Sequence, residues 1–209
     1  MFKKMVYCIK RYYFAIVKYR NSTNTSKAMD YIKTKAACNY FIEQARSEGR
    51  RITPMQAIKL VYFAHAYALA ILDKPLIDDH VEAWKFGAVI PSLYHSLKQF
   101  GSDPITAPIL DTEQVDYIDR LIKSPEELAR EYPKAICQTN FSKEETEVMN
   151  SIWALYKDKD AFELSAIIHQ PNTPWTQVWE EKGKYTHGAI ISDALIKDYY
   201  TRLINPADE

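Results

Sequence analysis

Between Ala57 and Leu72 only Lys59 and His65 are strongly polar. Ile58, Val61, Tyr62, His65, Leu69 and Leu72 fall at i, i+3, i+4, i+7, i+11 and i+14, which is one face of an α-helix. Ala, Phe and Tyr fill most of the remaining positions, so neighbours must surround this helix on several sides. At 1.5 Å per residue these sixteen residues span about 24 Å, and two polar groups interrupt them. The run is expected to be a core helix rather than a membrane span. A chain with such a rod at its centre must wrap other elements around it.

The flanks suggest what those elements are. Thr53 can cap the rod with Pro54 behind it. Lys33 to Glu48 carries the stripe Ala37, Tyr40, Phe41 and Ala45, which predicts an earlier helix closed by Gly49. After the rod, Lys74-Pro75-Leu76-Ile77-Asp78-Asp79-His80 reads as a turn. Val81-Glu82-Ala83-Trp84-Lys85-Phe86 then alternates, placing Trp84 and Phe86 on one side of a short strand. Gly87 supplies a permissive backbone position. Pro91 fits the first turn of a further helix with Leu93, Leu97 and Phe100 on its apolar edge, stopped by Gly101.

From Ser142 the helical pattern resumes. Ser142 with Glu145, and Asp160 with Glu163, are capping-box pairs. Val148, Met149, Ile152, Leu155 and Tyr156 form the buried face of the first of these helices, and Leu164, Ile167 and Ile168 that of the second, which ends near His169 because of Pro171. Thr173-Pro174-Trp175 opens a short helix with Val178 and Trp179, ending at Gly183. Ser192 caps a last helix through Leu195, Ile196, Tyr199 and Leu203. Between these regions, Ser102 to Asn140 is divided by Pro104, Pro108, Pro125 and Pro133. Only Asp116 to Ile122 and Glu126 to Glu131 suggest helical turns there, and its acidic residues are expected to form a solvated face.

Five glycines in 209 residues, with long stretches of helix formers, fit a mainly α protein. The expected fold is a single compact helical domain over residues 29–205, with a short β-strand or hairpin between its second and third helices. The net charge of zero hides an asymmetry. Residues 1–28 hold seven Lys/Arg and no acid, leaving 20 basic against 27 acidic residues in the other 181, about −7. An acidic body argues against non-specific phosphate binding and leans towards a basic protein partner. Cys8, Cys38 and Cys137 are scattered without CxxC spacing, which points to a reducing compartment, and the cytoplasm is the expected location. Residues 1–28 read as a basic extension outside the domain. They are either translated sequence upstream of a start at Met29, which is the preferred reading, a flexible arm, or a basic-aromatic helix lying on a membrane or partner.

Three blocks resemble the Panacea antitoxin-domain family, the SocA-like antitoxins, many of them phage-associated. They are Lys59-Leu60-Val61-Tyr62-Phe63-Ala64-His65-Ala66, the Lys74-Pro75-Leu76 turn, and Glu82-Ala83-Trp84-Lys85-Phe86-Gly87-Ala88-Val89-Ile90-Pro91-Ser92-Leu93-Tyr94. The Leu164, His169, Pro174-Trp175 arrangement is similar to the family as well. The resemblance runs from about Lys33 to Trp179. Ala88 stands where the family usually has Pro, which is expected to loosen the turn. The resemblance implies an antitoxin that neutralises a co-encoded protein toxin by direct binding. It also implies an alternative, an adaptor that delivers the toxin to a cytosolic protease.

Chemistry is sparse. The sequence has no Gly-rich phosphate loop, no G-x-S-x-G elbow and no HExxH. His65 lies on the apolar face of the rod and reads as a satisfied core histidine. Asp78, Asp79 and His80 resemble a metal cluster in composition only, because adjacent side chains rarely converge. His169 at a helix end fits a cation facing carbonyl dipoles. Helix, turn, helix over residues 33–72 invites a DNA-reading motif, but the second helix lacks base-reading side chains. No catalytic residue, metal or cofactor is therefore expected. An enzyme would require His65, Lys85 and His95 to converge. The candidate partner-binding residues are Trp84, Lys85, Phe86, Tyr94, His169 and Trp175, because large aromatics dominate interfaces when exposed. Packing of strand against helix is the competing role for the aromatics. Lys85 is expected either to point to solvent or to meet a carboxylate, its own Glu82 or a partner's.

Overall fold

Helix α1 (Ile32–Ser47) leads into α2 (Pro54–Leu72), the apolar rod, in a computed structural model that describes residues 31–106, 108–109 and 141–205. The described residues belong to one contiguous packing unit. The expected basic extension, the turns at Asp116 to Ile122 and Glu126 to Glu131, and the acidic face around them lie outside these residues.

Local chemistry sets the helix ends. The Thr53 hydroxyl accepts from the Gln56 amide while the Gln56 side chain accepts from the Thr53 N–H, a complete capping box at the start of α2. Its far end stops where Asp73 turns to a left-handed φ of 56°. Helix α1 has no side-chain cap of its own. Asp78 supplies one from a distance, accepting the Lys33 and Thr34 amides at 3.2 and 2.9 Å. Neighbouring Asp79 accepts the Ser92 amide at 3.1 Å, near the start of α3 (Pro91–Leu97), which ends in a 3-10 turn, Lys98–Phe100. The adjacent carboxylates thus serve two different helix N-termini, where negative charge is favoured.

The sheet lies between these elements. Strand β1 (Val81–Trp84) pairs antiparallel with β2 (Gly87–Val89), Trp84 facing Gly87 and Ala83 facing Ala88. On its other side β1 pairs antiparallel with β3 (Ala189–Ile191), Ala83 facing Ala189. The order is β2-β1-β3. The expected single strand through Phe86 is corrected. β1 stops at Trp84, Lys85 and Phe86 form the turn, and Gly87 starts the return at a φ of 105°. Only glycine takes such a backbone angle without strain, so the chain reverses there and Phe86 lies in the turn beyond the strand.

The second half supplies α4 (Lys143–Tyr156), α5 (Ala161–Ile168), the short α6 (Pro174–Val178) continued by a π-turn at Trp179–Gly183, and α7 (Asp193–Ile204). Ser142 and Asp160 close complete capping boxes with Glu145 and Glu163, and Ser192 accepts from the Leu195 amide. Helices α1, α4, α5 and α7 pack around α2. Phe63 stacks on Tyr156 at 4.6 Å, and Tyr62 meets Tyr200 edge-on at 6.3 Å. Burying each such ring contributes about 2–3 kcal/mol. Helix α2 is long and apolar enough to cross a membrane, yet two thirds of its apolar window is buried inside the protein. Mainly α with a short strand element is the architecture observed.

Candidate functional site

A lysine in the middle of an apolar helix needs acceptors, because an unpaired buried ammonium is very costly. Lys59 is 1% exposed. It finds its acceptors 27 and 29 residues along the chain. Its ammonium donates to the carbonyl oxygens of Phe86 at 2.8 Å, in the β1–β2 turn, and Ala88 at 2.9 Å, in β2. No carboxylate among the described residues forms an ion pair with it. Burial pulls its pKa down from the ordinary 10.5 to about 7.

The same turn is held from two more directions. The Ser165 hydroxyl of α5 donates to the Phe86 carbonyl at 3.2 Å, and the Trp175 indole N–H donates to the Trp84 carbonyl at 2.9 Å. Trp175 is buried, lies 4.0 Å from the His169 ring and stacks on Trp179 at 5.4 Å. Gly87 is required for space as well as angle. A Cβ there would come 2.6 Å from the Lys59 ammonium nitrogen. The turn is therefore braced by helix α2 and by the α5–α6 segment. Ala88, in the position expected to loosen it, is fully buried in β2 opposite Ala83.

On the outer side the turn is open. Phe86 is 64% exposed and Tyr94 40%. Lys85 is exposed, with its ammonium 5.6 Å from the Phe86 ring centre. It does not pair with Glu82, whose carboxylate accepts the Trp84 indole N–H at 2.6 Å and meets His80 Nε2 at 2.8 Å. Trp84, half-buried, meets Tyr94 edge-on at 4.8 Å. A cleft of about 710 Å³ runs between this face, the start of α2, α3 and residues 179–188. Of the six residues expected to bind a partner, Trp84, Lys85, Phe86 and Tyr94 line it together. His169 and Trp175 do not line it; they stand behind the turn as its support.

His169 corrects a sequence expectation. Its amide closes α5 on the Ser165 carbonyl at 2.9 Å, but burial and the nearby Lys59 charge hold the imidazole below its ordinary pKa. A cation facing the helix dipole is not favoured there. His65 is the satisfied core histidine expected: Nδ1 accepts the Leu76 amide at 3.3 Å and Nε2 lies 3.1 Å from Asp193. It does not line the cleft, and neither does His95, so this cleft does not gather His65, Lys85 and His95 together. His80 is engaged by Asp79 and Glu82. Among the described residues no group of three or more His, Cys, Asp or Glu side chains could hold a metal ion. Cys38 is free and buried, and burial pushes its thiol up to about 12, which keeps it unreactive.

Two parts of the site were not apparent from spacing. Lys59 stood out as polar, but its acceptors are backbone carbonyls that no periodicity announces. Beyond Trp179, on the helix expected to end at Gly183, the following residues Lys184, Tyr185 and His187 complete the cleft wall, although no motif or period marks them.

Comparison with known proteins places these features in a family. A family model described as "Antitoxin SocA-like, Panacea domain" matches residues 58–176, which is more than half of the chain. Among curated proteins, "Antitoxin SocA" of Caulobacter vibrioides (strain NA1000 / CB15N) is 23% identical over 170 residues, covering 81% of this chain and 82% of that protein. No solved structure matches. The matched span contains Lys59, the braced turn, Tyr94, His169 and Trp175, and so most of the groups that build the site.

Proposed function

The chain belongs to the SocA-like, Panacea-domain antitoxin family, and from that premise we propose that it neutralises a co-encoded protein toxin by direct binding. The observation that carries this reading is the rigid, outward-facing turn. Phe86 and Tyr94 expose large apolar rings, while Lys59, Ser165 and Trp175 fix the backbone beneath them. Rings held in place before contact lose little conformational freedom on binding, which favours affinity. The toxin is occluded by a preformed face, with no covalent step and no metal or cofactor. Such pairing takes place in the cytoplasm, where a buried free Cys38 is at home.

The experiment concerns the neighbouring reading frame. Its product is expected to arrest growth when expressed alone, to be tolerated when this chain is co-expressed, and to co-purify with it in a fixed ratio. Rescue accompanied by disappearance of the toxin, restored in a protease-deficient strain, would instead favour the adaptor role. A neighbouring product that is harmless, or that kills regardless of this chain, contradicts both.

A further inference from the structure

The cleft beside the turn differs in charge from the described residues as a whole. Those residues are close to neutral, with 16 Lys/Arg against 17 Asp/Glu. Yet no Asp or Glu lines the cleft, while Lys59 lies at its floor and Lys85, Lys98 and Lys184 around it. Lys184 is paired with Glu180. Lys59, Lys85 and Lys98 have no carboxylate partner among the described residues. Between them stand the rings of Trp84 and Tyr94 on one side and Trp179 and Tyr185 on the other.

Building on the antitoxin reading, we propose that this cleft receives an acidic segment of the toxin, an apolar or aromatic side chain flanked by Asp or Glu. The rings supply the apolar pocket, and the two exposed lysines meet the flanking carboxylates. A cleft of about 710 Å³ lies within the range that encloses a ligand-sized group, about 300–1,000 Å³. A chain segment accounts for more of the surface than a small molecule does. The apolar surface continues past the cleft onto Phe86, 64% exposed, and Tyr185, 82% exposed, and only an extended occupant covers both. Charge complementarity of this kind selects the partner and speeds encounter. It also reverses the lean drawn from net charge: at this face the favoured partner surface is acidic.

The test uses the full chain and the product of the neighbouring gene. A photo-crosslinking amino acid in place of Lys98 is expected to attach to a stretch of the toxin that holds both acidic and apolar residues. The Lys85→Glu, Lys98→Glu double variant is expected to weaken the complex about tenfold or more and to flatten its salt dependence. Lys143→Glu, on the exposed start of α4, serves as the control and should leave affinity unchanged. Crosslinks to a basic or uncharged stretch overturn the proposal, as does a double variant that binds like wild type. A small anionic molecule retained in the cleft of the intact complex would overturn it too. In each of those cases the antitoxin reading survives, because the complex forms. Absence of any complex with wild-type protein removes the reading itself, and this inference with it.

Discussion

Replacing Lys59 by Met removes the only lysine or arginine of α2 while keeping a side chain of similar reach. Two effects compete. The carbonyls of Phe86 and Ala88 lose the donor that holds them, and a buried acceptor left unmet costs about 1–3 kcal/mol. Phe86 keeps its bond from Ser165, so the Ala88 carbonyl bears more of the loss. Against this, the wild-type protein must hold an amine away from water, and burial pulls its pKa from 10.5 to about 7. The folded value lies below the unfolded one, so between those two pH values the unfolded chain binds the proton and the folded chain does not. Wild-type stability therefore rises with pH through that window, by up to about 1.4 kcal/mol per pH unit from this group. The Lys59→Met variant lacks this slope. The advantage of wild type over variant should grow by about 2–3 kcal/mol between pH 7 and pH 9. Buried Cys38 and Tyr62, raised to about 12 and well above the ordinary tyrosine value, respectively, work the other way at higher pH. They are present in both proteins and cancel in the difference. Urea unfolding followed by tryptophan fluorescence across this range measures it. A difference that stays flat from pH 7 to pH 9, or shrinks, refutes the buried-amine account of the clamp.

Three further outcomes are expected. Phe86→Ser should change stability by no more than about 0.5 kcal/mol, since the ring is largely exposed, yet weaken toxin binding about tenfold or more, measured by calorimetry. Gly87→Ala meets both the φ of 105° and the Lys59 ammonium, and should lower stability in thermal unfolding by about 1–3 kcal/mol. Asp78→Ala strips the N-terminus of α1 of its acceptor and should cost about 1–2 kcal/mol at neutral pH. Although burial opposes it, hydrogen bonds led by Thr34 hold the Asp78 carboxyl below its ordinary 3.8. Its contribution is present above that value and is lost as pH falls through the lowered one, so the deficit of Asp78→Ala should vanish in acid.

What could be read in the chain was local. The face of α2 from Ile58 to Leu69, and the caps at Thr53, Ser142, Asp160 and Ser192, each depend on residues within one or two turns, and all are observed. The first strand of the hairpin was visible as alternation, but its end was misplaced by two residues because Lys85 and Phe86 form the turn and Gly87 starts the return. β3 escaped notice because three residues carry no period, and its partner β1 lies about a hundred residues earlier. Asp78 and Asp79 looked like a possible cluster in composition, whereas each serves a helix start too distant in sequence to suggest it. For the site, exposure decided what spacing could not. Trp84, Phe86 and Tyr94 share a face, while Trp175, of the same residue class, is buried beneath the turn. Lys59 was conspicuous but unassigned, since its role depends on carbonyls brought to it only by folding.

Hydrogen exchange of the full chain, alone and with the product of the neighbouring gene, tests most directly whether the braced turn is the docking face. Slowed exchange should concentrate at residues 82–94 and 179–190, which carry most of the cleft and its exposed rings. Protection confined to the outer surface of α4 and α5, where Leu155 and Phe162 are exposed, with the hairpin unchanged, would contradict the account.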